Sequence, residues 1–575
     1  MSVDLSAPSV RETFPDPELY RTFLGGKGMA GFFIHPHAAK SWDNPQIPLV
    51  LFTGPLTATL APTSGRMTIA SKSPLTGTIG DASVGGAFGT ELKKAGFDGI
   101  IITGKAKRPT GMEITNGRVV FTDAARFTGR PVSHIHAGLK TKGASAATGP
   151  AAENGVRFAG VVIDGHYVAG RNGLGLVFSA KNLKYITVKG SKKPEVHDPD
   201  GLKSAREDIL RLASASPVIM GEMGITNYGT AALYDLTSSR RMMPTDNFRK
   251  TFFSAAGRMN AHAYKMRYTP KNTGCRGCHI QCKKITPSGV VLPEFETMNH
   301  FSALIGNDDM DIVVRANAIC NDAGMDTISA GATLACYAEI NDLRLIGNEI
   351  CTFLEDIALS RGIGAELKNG SYAYAQKAGR PESAMTVKKQ ELPAYDPRGA
   401  YGMALAYAVS TRGGCHLRAY TIGSEVLRKP VPIDRFTFSG KARIVKIAED
   451  VNAAVDSLTA CKFIFFGAAL EEYAKAYSSV TGVLSSGQDL MKTGEKIVYR
   501  ERIFNHLNGF TAADDDLPAR FFNEPGSSDG LIVVRPLPRN DFLAARSAYY
   551  RIRGLDENGG PTKEKTKELG LEWNG

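Results

Sequence analysis

Three of the eight cysteines fall within eight residues, at Cys275, Cys278 and Cys282, and none precedes them. No other feature constrains the fold as strongly, because three thiolates spaced C-x2-C-x3-C can converge on one soft metal centre. Four readings compete. An iron–sulfur cluster needs a fourth cysteine from elsewhere in the chain. Structural zinc also needs four ligands, and it usually shows a second C-x2-C pair, which is missing here. Cys275-Arg276-Gly277-Cys278-His279 fits the C-x-x-C-H pattern of haem attachment, but that reading leaves Cys282 without a role. Three buried free thiols would not explain so tight a group. The spacing favours the cluster. Cys320, Cys336 and Cys351 lie on apolar helical faces and read as core, while Cys415 and Cys461 are candidates for the fourth ligand.

The chain around this run has 575 residues, enough for about three or four domains. With 43% hydrophobic and 22% charged residues, whole-chain disorder is excluded. No apolar run reaches the length of a membrane span, and residues 47–61 are interrupted by Pro48, Gly54 and Pro55. The N-terminus shows no basic stretch followed by an apolar one, so a cytoplasmic location is expected. Residues 1–195 read as β-rich, with short apolar runs at 48–53, 67–71, 99–104, 160–164 and 185–190. Residues 112–121 alternate around Asn116-Gly117, a hairpin signal. After about residue 200 the period becomes helical. Ile312, Val313, Ala316, Ile319 and Cys320 share one face, with Asp308 or Asp309 as a cap and Gly324 as a stop. Residues 352–360, 366–377 and 444–458 look similar, whereas 561–571 reads as a loose surface tail. A β-rich domain over 1–195 and two helical domains over 196–400 and 401–575 are therefore expected, without an internal repeat.

Glycine makes up about 11% of the chain, and the excess gathers in Gly25-Gly26-Lys27-Gly28, Gly85-Gly86, Gly173-x-Gly175 and Gly413-Gly414. Loops of this kind let main chain approach a bulky polar cofactor. The formal charge of +12 suits anionic ligands or an acidic partner. The basic residues are scattered and lack an aromatic-interleaved groove, so no nucleic-acid binding is expected.

Taken in order, a longer set of motifs resembles the aldehyde:ferredoxin oxidoreductase family of tungstopterin enzymes, almost from end to end. The set begins with Leu24-Gly25-Gly26-Lys27-Gly28 and Gly54-Pro55-Leu56-Thr57. It continues through Ser64-Gly65-Arg66, Gly85-Gly86, Gly149-Pro150 and Gly170-Arg171-x-Gly173. The cysteine run, Pro293-Glu294-Phe295-Glu296-Thr297 and Arg412-Gly413-Gly414-Cys415-His416-Leu417-Arg418 complete it. The resemblance implies an α+β fold in which an N-terminal β-rich base for a tungsten or molybdenum bis-pyranopterin is followed by two mainly helical domains. It also implies a 4Fe–4S cluster on Cys275, Cys278, Cys282 and Cys461, with Cys461 preferred over Cys415. By the same likeness Arg66, Ser83, Gly85, Arg171 and Gly173 hold pterin and phosphates, bridged by magnesium, and Asp326 and Asp456 accept from pterin rings. Ser83 stands where the family commonly has asparagine. Glu296 and His416 match the acid and imidazole beside the metal.

The activity so implied is oxidation of an aldehyde to a carboxylic acid, or the reverse, with ferredoxin or a small Fe–S subunit as partner. Reduction of an aromatic acyl-CoA thioester is the alternative within the family. A non-catalytic Fe–S electron-transfer or scaffold protein is the alternative outside it, set apart by iron without tungsten or molybdenum. Some members bridge a dimer through iron held by Glu and His. Here Arg315 lies near the acid position and no histidine occurs between His300 and His416, so no bridging metal is expected and a homo-oligomer stays open.

Overall fold

The computed structural model describes residues 1–139, 143–429 and 431–572. The fold is α+β, with the strands concentrated in the first third. Twelve strands there are β1 (Ser2–Asp4), β2 (Ser9–Arg11), β3 (Leu49–Phe52), β4 (Met67–Lys72), β5 (Ile79–Val84), β6 (Gly99–Thr103), β7 (Thr110–Thr115), β8 (Arg118–Asp123), β9 (Ala144–Ala147), β10 (Val161–Ile163), β11 (Tyr167–Ala169) and β12 (Leu183–Lys189). They form two six-stranded sheets, ordered β2-β1-β6-β3-β4-β5 and β11-β10-β9-β12-β7-β8. Inward side chains of both sheets, among them Leu51 and Ile69 from one and Ile114 and Ile186 from the other, meet in one apolar core. The hairpin forms where it is expected, with Asn116 and Gly117 both at positive φ between β7 and β8. That backbone matches the right-handed twist of the paired strands.

The remainder is mainly helical. The helix Met310–Ala323 starts at Asp309, whose side chain accepts from Asp311 N and Ile312 N, and ends on Gly324 in the left-handed region. Cys320, Cys336 and Cys351 are buried core residues. Two expectations need correction. Residues 366–377 do not form one helix, because Gly370 at φ 89° separates Gly364–Leu367 from Ser371–Lys377. Residues 561–571 are not a loose tail. Thr562 caps the helix Lys563–Glu568 and donates its N–H to Tyr499 Oη at 2.8 Å, and Leu569 is buried. The mixed Lys and Glu residues of that stretch include the outer face of a docked helix. Among the described residues, no helix is long and apolar enough to cross a membrane.

Two long helices bring their C-terminal ends onto the β-rich third in the same way, although the sequence shows no repeat. The helix Lys441–Leu458 ends against Gly54, where a Cβ would collide with the carbonyl of Leu458 and with Thr459. Gly54 N and Thr57 Oγ1 both bond Thr459 Oγ1, at 3.1 and 2.9 Å. The helix Met310–Ala323 ends against Gly149, where a Cβ would meet the carbonyls of Ala323 and Asp322. Both glycines open a Gly-Pro pair, and the two docked ends carry Asp456 to Cys461 and Asn321 to Asp326.

Candidate active site

The clustered cysteines lie on the loop of a two-stranded ribbon, β13 (Lys271–Thr273) with β14 (Lys283–Ile285). Cys278 N bonds Cys275 O at 3.1 Å, and Gly277 takes φ 71° to close the turn. Cys275 sits on the end of β5, where any Cβ at Gly85 would overlap its Sγ. Cys461 arrives from the other side, three residues after Leu458, and is fixed by Cys461 N to Thr63 O at 3.0 Å. Arg66 lies among them. Its charge acts on Cys461, Cys275 and Cys282, and its side chain bonds Ser83 through Nε to Oγ at 2.9 Å and Nη2 to O at 2.7 Å. Cys461 is in turn coupled to Cys278 and Cys275.

All four thiols are free and partly exposed. Burial raises Cys278 and Cys282 above the ordinary thiol value and pushes Cys461 up to about 11, with Arg66 opposing at Cys461. Among the described residues, no three Cys, His, Asp or Glu side chains stand close enough to hold a single metal ion. Tetrahedral zinc would require its sulfurs about 3.8 Å apart, from Zn–S bonds of about 2.3 Å.

A second group forms around Glu296, in the first turn of the short helix Phe295–His300. Its Oε2 accepts from Ala394 N at 2.8 Å, whereas Oε1 is buried, makes no hydrogen bond and lies 3.6 Å from His416 Nε2. Burial pushes the Glu296 carboxyl up to about 8, against the pull of Ala394 N–H and Arg171. Burial, followed by the charges of Arg171, Arg412 and Lys462, drives His416 well below the ordinary imidazole value. Near neutrality the contact is therefore a carboxylic acid facing a neutral imidazole, not an ion pair. One turn on, His300 donates from Nδ1 to the carbonyl of Glu296 at 2.7 Å, and Tyr395 packs on His416 with ring centres 5.6 Å apart.

Arg171 ties three segments to this pair. Its Nη2 donates to Glu391 O at 2.6 Å and to Gly414 O at 3.1 Å, and its Nε lies 3.4 Å from Asp326 Oδ2 without forming a hydrogen bond. Asp326 also caps the helix Thr327–Ile340. Below His416, Arg412 grips Cys415 Sγ with Nε at 3.1 Å and Nη2 at 3.0 Å, and Leu417 N adds a third donor at 3.2 Å. Burial alone would raise the Cys415 thiol, but Arg412, Arg418 and Arg171 hold it below its usual value. Asp456 bonds Lys462 Nζ through Oδ2 at 2.6 Å, while its Oδ1 is buried without a partner.

The expected site residues thus gather in two groups, Cys275, Cys278, Cys282, Cys461, Arg66, Ser83 and Gly85 in one, and Glu296, His416, Arg171 and Asp326 in the other. The Asp456–Lys462 pair links them, since Asp456 acts on Arg66 and Lys462 acts on His416. Gly173 stands apart. It packs on the main chain of Arg157 and on Pro74, where a side chain would collide. Sequence reasoning missed Arg412, Lys462 and Tyr395. Arg412 opens the same seven-residue motif that contains His416, and Lys462 follows Cys461 directly, so adjacency was the available signal.

Buried polar atoms without partners cost about 1–3 kcal/mol each. Glu296 Oε1, Asp456 Oδ1 and Arg171 Nε are three of them, on the residues that line this region. A bound polar group would satisfy them.

Residues 1–190 match the family model for the aldehyde ferredoxin oxidoreductase N-terminal domain, and residues 204–571 match that for domains 2 and 3. The chain is 36% identical to the tungsten-containing aldehyde ferredoxin oxidoreductase of Pyrococcus furiosus, covering 99% of this chain and 98% of that one. It is 37% identical to the Pyrococcus horikoshii protein of the same name, covering 100% and 98%. The WOR-like subunit of an aliphatic sulfonate oxidoreductase from P. furiosus is 26% identical over 99% of this chain and 96% of its own. Among solved structures, the active-site complex BamBC of benzoyl coenzyme A reductase with 1,5-dienoyl-CoA superposes with a TM-score of 0.84 at 21% identity, covering 99% and 96%. That likeness carries the fold alone.

Proposed function

The chain belongs to the aldehyde ferredoxin oxidoreductase family, and from that premise we propose that it is a tungsten–pterin oxidoreductase interconverting an aldehyde and a carboxylic acid, with ferredoxin as electron partner. The observation that carries the chemistry is the buried, unpartnered Oε1 of Glu296 facing the neutral Nε2 of His416. When bound, the metal–pterin centre supplies two-electron chemistry at the substrate carbon, and an iron–sulfur cluster passes those electrons on singly.

The residues present suit such a group. Arg66 and Arg171 offer cationic donors for phosphate or pterin oxygens, with main chain at Ser83 and Gly85 beside them. Asp326 and Asp456 offer carboxylate acceptors for ring N–H groups. Magnesium between the pterin phosphates belongs to the same proposal. Cys275, Cys278, Cys282 and Cys461 would anchor a 4Fe–4S cluster. The single C-x2-C-x3-C run, with a distant fourth cysteine and no second C-x2-C pair, supports a multi-iron centre over zinc.

Glu296 Oε1 is the atom placed to hold the reaction's proton. In the oxidising direction its ionised form takes a proton from water or from a hydrated aldehyde, and in the reducing direction its acid form returns one. His416, neutral because burial and then the nearby cations disfavour its protonation, donates a hydrogen bond from Nε2 and polarises the substrate carbonyl. The helix Phe295–His300, pinned by Ala394 N and by the His300 hydrogen bond, keeps Glu296 aimed at His416.

The test is metal analysis of the purified protein joined to a panel of aldehydes with a viologen acceptor. Tungsten or molybdenum together with iron, and dye reduction dependent on aldehyde, are expected. Full metal loading with no aldehyde-dependent turnover would overturn the assignment.

A further inference from the structure

Beside the cysteine loop, one edge of the β-rich third carries lysines and an arginine that have no ion-pair partner among the described residues. The edge starts in the cysteine loop. Arg276, between Cys275 and Cys278, has a half-exposed side chain paired with Glu91. Glu91 Oε2 also accepts from Gly190 N at 3.1 Å, so the last residues of β12 lie beside the loop. From there the backbone bonds run outward. Lys192 N donates to Lys94 O at 2.9 Å, Ser191 N to Asn116 Oδ1 at 2.9 Å, and Asn116 N to Lys189 O at 3.1 Å. Arg118 closes the strip, paired with Thr115 across the hairpin.

Lys189, Lys192, Lys193 and Arg118 are exposed, and Lys94 is half-buried. Among the described residues, none of the five has an ion-pair partner. Glu91, the acid within the strip, is buried and already bonded to Arg276, and Glu195 stands two residues beyond Lys193. The other flank of the cysteine loop is different. Lys283 is paired with Glu294, and Arg206 lies on the helix Pro199–Ser214 together with Asp200, Glu207 and Asp208. Cys275, Cys278 and Cys282 are themselves partly exposed, and Arg276, Gly277 and His279 more so.

We propose that this basic edge, from Arg276 to Arg118, is the docking face for an acidic, diffusible ferredoxin, which it draws to the cysteine loop. The inference rests on the proposed function, since it takes the loop as the point where electrons leave. Solvated lysines that keep no partner in the free protein add long-range attraction without a standing cost of desolvation. They suit a short-lived, salt-sensitive encounter and not a permanent subunit, whose interface would be larger and more apolar.

The experiment compares two double variants of the full-length holoenzyme. Lys192→Glu with Lys193→Glu reverses the edge. Lys563→Glu with Lys567→Glu, on the C-terminal helix, is the control. Each Lys→Glu changes charge by −2, so both doubles go from +12 to +8. The probe is an acidic 4Fe–4S ferredoxin, with KM from aldehyde-driven reduction and Kd from a biosensor at low and at physiological salt. The edge variant is expected to raise both about tenfold or more at low salt and to lose most of the salt dependence. Its viologen-linked turnover should stay at the wild-type level. Equal effects of the two doubles, or an unchanged Kd for the edge variant, would overturn the proposal. An inactive wild type in the viologen assay would strike at the proposed function instead, and the binding measurement would still decide the docking face.

Discussion

Glu296 is the residue at which burial, charge and chemistry meet. Burial holds its proton to about pH 8 in the folded chain, against the ordinary carboxyl value of 4.5 when unfolded. A raised carboxyl contributes stability that is full below about pH 4.5 and is lost as the pH climbs through about 8. Glu296→Gln keeps the shape and removes the titration. In cofactor-free protein the wild type should lose about 3–5 kcal/mol more than the variant between pH 5 and 9, read from denaturant midpoints at each pH. In the loaded enzyme the same change should lower kcat about 10²- to 10⁴-fold at unchanged metal content and remove the rise of activity with pH near 8. Wild-type turnover in Glu296→Gln would end its assignment as the base. The cysteines give a second contrast. Cys461 is coupled to Cys278, Cys275 and Arg66, whereas Cys415 is enclosed by Arg412 and Leu417 N–H. Cys461→Ser should therefore lose cluster iron and its spectroscopic signal, and Cys415→Ser should keep both. Iron loss in both variants would remove the distinction.

Among elements, what was legible in the sequence was local. The Asn116-Gly117 hairpin and the helix between Asp309 and Gly324 follow from side chains acting on their own backbone within four residues. The break at Gly370 and the docked helix Lys563–Glu568 were not legible, because the contacts that settle them come from elsewhere. Ser371 N bonds Glu391 Oε1 at 3.0 Å, and Thr562 N bonds Tyr499 Oη. The same holds for the two Gly-Pro docks. Gly54 and Gly149 stand in the sequence only as parts of Gly-Pro motifs, yet each is a place where the end of a distant helix touches bare main chain. Gly54→Ala should overpack the joint with Leu458 and Thr459 and cost about 1–3 kcal/mol. Since the displaced segment carries Asp456 and Cys461, tungsten and iron content should fall together. A variant with wild-type stability and metal content would show that the joint yields more easily than its geometry implies.

For the whole molecule, the site has no single owner. Arg66 comes from just before β4 and Ser83 from β5 of the first sheet, Arg171 from beside the second, Glu296 and Asp326 from the middle of the chain, and His416, Asp456 and Cys461 from its last third. The ordered motifs made these residues identifiable. They did not reveal that Arg171 would bridge Asp326, Glu391 and Gly414, or that Lys462 would neutralise Asp456, because such pairs exist only after three stretches of chain have closed on one another. The closure leaves Glu296 Oε1, Asp456 Oδ1 and Arg171 Nε buried without partners. A ligand that satisfies them binds the folded chain and not the unfolded one, so it stabilises by mass action. Removing the cofactor should then lower the unfolding temperature and speed amide exchange. The acceleration should concentrate in residues 391–418 and 456–462, whose main chain and side chains surround the orphaned atoms, and spare the sheet core around Leu51 and Ile186. Matched exchange maps for loaded and cofactor-free protein would refute the idea that these three atoms wait for a bound partner.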